Sequence, residues 1–277
     1  MNDAFSPSTA LATFLSLYLP SLRARLSPTA PVPPPSLLSS FGSSGGFTAL
    51  NWRQVALSGA VAFWALRLGS YLFQRILQDG NDSRFDEIKK SPVRFGVAFF
   101  AQATWVSLCL LPVIALNSVP ATAFAVLPAV RGFDVLGLLL YAGGFTFEVA
   151  ADRQKSRWIR EKRAKVHDEE FMTKGLWSRS QYPNYFGEIS LWTGIATAAT
   201  GNLLTYPVQK ALGFSGGLAG RLGVAALSFI SPAFVCFLLL KVSGIPLSEN
   251  KYDKRYGDRK DYQDWKRTTP KLVPKVF

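Results

Sequence analysis

Glu148 and Asp152, Asn184 and Glu188, and Arg67 and Tyr71 are pairs of polar residues spaced four apart in a chain of 277 residues. In helical segments each pair shares one face, because 3.6 residues per turn bring i and i+4 together. Carboxylates accept hydrogen bonds, an amide both donates and accepts, and a guanidinium brings a fixed positive charge, a set suited to binding a polar ligand. Pro183 forces a break before the next helix, so residues 184–188 form that helix's first turn, where free backbone N–H groups can receive an anion. Capping alone would explain Asn184. It would not explain the aromatic and basic residues around it, among them Trp177, Arg179, Tyr182 and Tyr185. Histidine occurs once, at His167, and cysteine twice, at Cys109 and Cys236. No site of several His or Cys ligands can be built, which rules out multi-His di-iron oxidases, zinc ribbons and disulfide frameworks.

The elements that must carry these residues are apolar runs. Residues 95–115, 189–209 and 222–240 are each free of Asp, Glu, Lys and Arg, as membrane spans are. Reading each apolar run as one crossing predicts five helices, at about 54–77, 94–116, 132–151, 186–207 and 219–242. Of the 31 Lys and Arg residues, 5 lie in 75–94, 9 in 153–179 and 10 in 241–275, whereas 117–130 has none and 202–218 only Lys210. Five crossings put all three basic blocks on one side, as the positive-inside rule requires. A soluble bundle with a basic tail leaves that alternation unexplained. Nucleic-acid binding is not needed to account for the net charge of +13.

The expectation is an all-α, polytopic transmembrane helix bundle of about five to seven spans, with residues 1–50 as an N-terminal segment and linker and 51–277 as the membrane-embedded domain. Residues 10–19 are apolar but short, end at Pro20 and are followed by Arg23 and Arg25, which reads as an interfacial or lumenal segment. No basic residue precedes them, which disfavours a secretory signal. Residues 27–46, rich in Pro, Ser and Gly, read as a linker.

Charges inside the spans single out positions. Only 13 uncharged residues separate Asp134 from Glu148, too few to cross, so at least one carboxylate lies within or at the edge of the membrane. Arg67 interrupts the first span, with Tyr71 and Arg75 continuing its face, and an intramembrane arginine is costly unless paired or lining a polar cavity. The glycines at 213, 216, 217, 220 and 223 read as loop and packing glycines, since no strand precedes them. His167 reads as solvated, and Cys109 and Cys236 as packing residues.

The run from Phe147 to Asp152, then Gly175-Leu-Trp, then Ser-Gln-Tyr-Pro-Asn-Tyr-Phe-Gly-Glu ending at Glu188, resembles the C-terminal domain of the steroid 5-alpha-reductase superfamily. The nearest likeness is to its multi-pass subgroup often left uncharacterised. The tail is similar too, in Ser243-Gly-Ile-Pro-Leu-Ser-Glu249, Arg255-Tyr-Gly-Asp258, Tyr262 and Trp265-Lys-Arg-Thr-Thr-Pro270. Leu66-Arg-Leu-Gly-Ser-Tyr71, Gly80 and Arg84-Phe85 match more weakly, and the resemblance covers about residues 60–277.

The resemblance implies an NADPH-dependent membrane oxidoreductase that reduces a conjugated carbon–carbon double bond in a sterol, steroid or other polyisoprenoid lipid. It places Arg67, Tyr71, Glu148, Asp152, Trp177, Asn184 and Glu188 on the cofactor, with Tyr252 or Tyr256 as a lid contact. Arg157 and Arg160, in the basic loop, could pair with the 2′-phosphate that distinguishes NADPH from NADH. Tyr71, and after it Tyr141, are the candidates for the catalytic acid. The partners implied are an apolar lipid and the bilayer, with the endoplasmic reticulum the expected location in a eukaryote. The likeness has gaps: no Glu precedes Glu87 where animal steroid reductases have one, Trp64 stands in place of a Tyr, and Tyr182 where many relatives have His. An S-adenosylmethionine-dependent methyltransferase of the isoprenylcysteine type and a non-catalytic membrane binding protein are the alternatives.

Overall fold

The computed structural model describes residues 5–26, 50–79 and 91–275, among which there is no strand. The linker reading at 27–46, and Gly80, Arg84, Phe85 and Glu87, lie outside the described residues. Ten helices follow in order: α1 (Phe5–Leu26), α2 (Trp52–Asp79), α3 (Pro92–Asn117), α4 (Ala121–Phe124), α5 (Gly132–Arg163), α6 (Pro183–Leu203), α7 (Tyr206–Ala211), α8 (Leu218–Phe237), α9 (Ile245–Tyr256) and α10 (Lys260–Thr268). A 3₁₀ turn at Gly175–Ser178 precedes α6, and a π-helical turn at Leu238–Val242 follows α8.

Four stretches, Trp52–Gln74, Pro92–Asn117, Gly132–Arg163 and Leu218–Tyr256, are long and apolar enough to cross a membrane. The all-helical integral membrane bundle expected from the sequence is therefore the architecture of this protein. The fifth expected helix is present, with its bounds corrected. α6 begins at Pro183, stops at Leu203 rather than 207, and does not join the four, because Asn, Glu, Thr and Gly dilute its apolar residues. At 21 residues it is still about 31 Å long, and every residue from Ile195 to Leu203 is buried. At the N-terminal segment the helix runs through Pro20 to Leu26 and packs on α2 and α3. Membrane-embedded helices tolerate an internal proline where neighbouring groups re-satisfy the freed carbonyl.

Contacts divide the chain into two units, Met1–Gly137 with Ile195–Ser231, and Leu138–Gly194 with Pro232–Phe277. In the first, Leu57, Val61, Trp64 and Ala65 of α2 and Cys109, Leu110, Val113 and Leu116 of α3 form the buried apolar core. Polar clasps set its register. Asn117 Nδ2 donates to Ser16 Oγ (2.9 Å) and Ser58 Oγ (3.0 Å), joining three helices. Gln54 Nε2 donates to the carbonyl of Leu116 (3.1 Å), in the last turn of α3, and to that of Val119 (2.9 Å), just beyond it. Asp134 is 3% exposed and saturated: it accepts from Arg53 Nε (3.0 Å), the Arg131 N–H (2.9 Å) and Asn202 Nδ2 (2.6 Å).

The second unit comprises the latter part of α5, the 164–182 loop, the first half of α6, and everything after Ser231. α8 passes through its π turn to Gly244, where the Ser243 N–H reaches the Leu238 carbonyl (2.8 Å), and α9 then starts with Pro246 in its first turn. Phe171 anchors the tail, its ring lying 5.6 Å from Tyr256, 5.2 Å from Tyr262 and 5.8 Å from Trp265.

Candidate functional site

The site is built where α5 and α6 meet inside the second unit, and two glycines create the meeting. A Cβ at Gly144 would lie 2.5 Å from Leu191 N and 2.6 Å from Gly187 O; one at Gly187 would lie 2.6 Å from Glu148 N and 2.7 Å from Gly144 O. The two backbones touch, as at small-residue crossings in membranes. Gly144 faces both Gly187 and Leu191 whereas Glu148 faces Gly187, so the helices run antiparallel. One further turn brings Asp152 alongside the start of α6. Phe147 and Phe186 close the crossing edge to face at 5.5 Å.

Glu148 (3% exposed) and Asp152 (7% exposed) are buried on this face of α5, as their spacing in an apolar segment leads one to expect. Tyr141 lies two turns before Glu148, half-buried, its ring 5.9 Å from Phe145. On α6, Glu188 is half-buried and Asn184 is the second helical residue. The Asn184 amide oxygen is buried and has no hydrogen-bond partner among the described residues. Its side chain therefore does not act as the cap that sequence left open. The cap position belongs to Tyr182, whose carbonyl accepts from the Phe186 N–H (3.3 Å).

The basic end of α5 sorts its cations by partner. Arg157 is exposed and paired with Glu161 (2.7 Å), and Arg160 is exposed in the last turn. Lys162 binds Glu170 (3.0 Å), and Lys174 pairs with Glu169. Both carboxyls are held below the usual glutamate range, chiefly by those lysine hydrogen bonds. Lys155 differs. It is half-buried, its ammonium sits 4.1 Å above the Trp177 ring and 5.4 Å from that of Tyr252, and no hydrogen-bond acceptor or carboxylate among the described residues engages it. Lys155 was missed by the sequence reading, although its position three residues after Asp152 on the same face was available as a signal.

Trp177, expected on the cofactor, is 5% exposed and gives its indole N–H to the Ala151 carbonyl (3.1 Å). It forms a wall of the site and one face of the lysine cage. Tyr256 is buried, its hydroxyl donating to the Glu170 carbonyl (3.0 Å); Tyr252 is the tail tyrosine that reaches Lys155. Arg67 and Tyr71 belong to the first unit, where the guanidinium lies 5.4 Å from the Tyr71 ring centre. His167 is not solvated: its Nε2 is 3.1 Å from the Trp158 carbonyl and its ring 5.1 Å from the Trp158 ring. Among the described residues no group of His, Cys, Asp and Glu could hold a metal ion.

A family described as "Protein of unknown function (DUF1295)" matches residues 38–213 and 217–269. The chain belongs to it. All the candidate site residues on α5, the 164–182 loop, α6 and α9 fall inside the two matched stretches of this DUF1295 member. No curated protein and no solved structure matches it.

Proposed function

We propose that this DUF1295 protein is an NADPH-dependent reductase of a conjugated carbon–carbon double bond in a sterol, steroid or other polyisoprenoid lipid, resident in the endoplasmic reticulum in a eukaryotic host. The family's association with steroid 5-alpha-reductase-like proteins supports this reading, and one observation carries it. A half-buried ammonium without a carboxylate partner, caged by Trp177 and Tyr252, lies on the same helix face as two buried carboxylates. A dinucleotide needs both kinds of group: a cation for its phosphates, and acceptors for its ribose hydroxyls and amide N–H groups.

In this assignment Lys155 receives phosphate oxygen, Asp152 and Glu148 accept from hydroxyl or amino groups, and the unpartnered Asn184 oxygen accepts a further N–H or O–H. When bound, NADPH supplies a hydride to the electron-poor alkene carbon. The protein must donate a hydrogen bond to the conjugated carbonyl oxygen and deliver a proton to the other carbon. Tyr141 is the candidate donor on α5, and Tyr71 the candidate on α2. Arg157 is engaged by Glu161, so 2′-phosphate recognition shifts toward Lys155 and Arg160.

The buried Glu148 and Asp152 also favour a second reading, because two carboxylates suit the sulfonium and ammonium of S-adenosylmethionine, the cofactor of the methyltransferase alternative. Titrating the detergent-solubilised protein with each cofactor, read by the thermal midpoint and by tryptophan fluorescence, separates the two. NADPH is expected to stabilise and S-adenosylmethionine not, with Lys155→Met weakening NADPH at least tenfold. The reverse preference would replace the reductase by the methyltransferase. NADPH binding without turnover of any conjugated lipid would favour a non-catalytic binding protein.

A further inference from the structure

The C-terminal tail is hydrogen-bonded to the segment that leads into α6, and the bonds converge on Gln181. That residue is 5% exposed, and its three donors all go to the tail: the backbone N–H to Pro270 O (2.9 Å), and the side-chain amide to Lys266 O (2.9 Å) and Thr269 O (2.7 Å). Ser180 on one side donates to Leu272 O (2.8 Å) and accepts from the Tyr182 N–H (3.1 Å). Further out, Lys275 N–H donates to Arg179 O (3.0 Å) and the Trp265 indole to Trp177 O (3.3 Å). The physical logic is that of a helix C-terminus. α10 ends at Thr268 with Pro270 behind it, so its last carbonyls lack intrahelical donors, and Gln181, some 85 residues upstream of Lys266, supplies them. Ion pairs hold the other side of the tail to α9, Lys266 to Asp253 (2.8 Å) and Lys271 to Glu249 (2.8 Å).

We propose that residues 265–275 are a strap that positions the start of α6, with Gln181 as the positioning residue through which the tail fixes Asn184 and the Trp177 wall. Ligand affinity at the α5–α6 site then depends on a segment far away in sequence. Gln181 touches no ligand; it acts through the 177–184 backbone. The affinity part of this inference rests on the cofactor reading above, while the strap itself does not.

The test uses the full chain in lipid nanodiscs. Gln181→Met keeps the side chain's length but removes both amide hydrogens, and Gln181→Glu sets a carboxylate against two carbonyls. Both variants are expected to raise amide exchange rates across 176–190 about tenfold or more. NADPH affinity should fall at least tenfold, while helical content stays close to wild type. Arg179→Cys with Lys275→Cys, added to Gln181→Met with Cys109 and Cys236 replaced by Ala, should restore slow exchange and affinity when oxidised and lose both on reduction. Unchanged exchange in Gln181→Met would overturn the strap. Fast exchange with wild-type affinity, or a disulfide that restores exchange but not affinity, would overturn the positioning role. A wild-type protein that binds neither NADPH nor S-adenosylmethionine would sink the cofactor reading, and the exchange measurement would still decide the strap.

Discussion

Asn184 was legible as a special residue because Pro183 locally dictates where α6 begins, but whether its side chain caps the helix is a matter of atoms rather than of pattern. In the structure its amide oxygen is buried and without a partner, which argues for a ligand contact. The helix dipole offsets part of the cost of burying a carboxylate in the first turn, so Asn184→Asp is expected to leave the apo thermal midpoint near wild type. On the proposed cofactor reading the added charge would face a polyanion, so NADPH affinity should fall at least tenfold; isothermal titration beside differential scanning fluorimetry checks both. Asp134 illustrates the opposite case. Its carboxylate was noticed only as an obstacle to crossing, whereas its partner Arg53, 81 residues away, was not foreseen. Asp134→Asn leaves the buried Arg53 guanidinium uncompensated and should cost about 3–5 kcal/mol, as broken buried ion pairs do. Replacing both partners together, Arg53→Met with Asp134→Leu, should recover much of that loss in denaturant unfolding.

At the scale of elements, the α5–α6 crossing makes the sharpest prediction. The Cβ of Gly187→Ala would meet backbone atoms of Glu148 and Gly144 that cannot swing aside, and overpacking of this kind costs about 1–3 kcal/mol. The helices must separate, carrying Glu148 away from Asn184, so ligand affinity should fall along with stability. Gly143→Ala, next to Gly144 on α5, has nothing within 4 Å of its new Cβ and should be silent in the same assays. The 164–174 loop responds to acid instead. Glu169 and Glu170 titrate below their ordinary value when folded, so the contacts they give this loop are complete above an unfolded glutamate pKa of about 4.3 and are lost as pH falls through the lower folded values. Because Trp158 donates to Glu169 (3.0 Å), its fluorescence should change below about pH 4 and stay flat from pH 5 to 8.

For the whole molecule, charge placement makes the prediction. With 9 basic residues in 153–179 and 10 in 241–275, and with α6, about 31 Å long, taken as a crossing beside the four apolar stretches, residues 153–180 and 243–277 should be labelled from the same aqueous side in sealed vesicles carrying single introduced cysteines, together with 78–92. Protection of one block while the others react would overturn the assigned topology. The sequence by itself determined the helical membrane class, the approximate ends of α2, α3 and α8, the starts of α5 and α6, and the shared helix face of Glu148 and Asp152. All of these follow from hydropathy, proline geometry and the 3.6-residue period, which act over one or a few turns. Tertiary structure alone decided that α1 continues through Pro20 and packs on α2 and α3. It also decided that Arg53 neutralises Asp134, that Lys155 is held between Trp177 and Tyr252 with no carboxylate partner among the described residues, and that Gln181 closes the end of α10. Each of these depends on which groups meet across tens of residues, and a hydrogen-bond donor of fixed type has many acceptors it could reach until packing leaves it one.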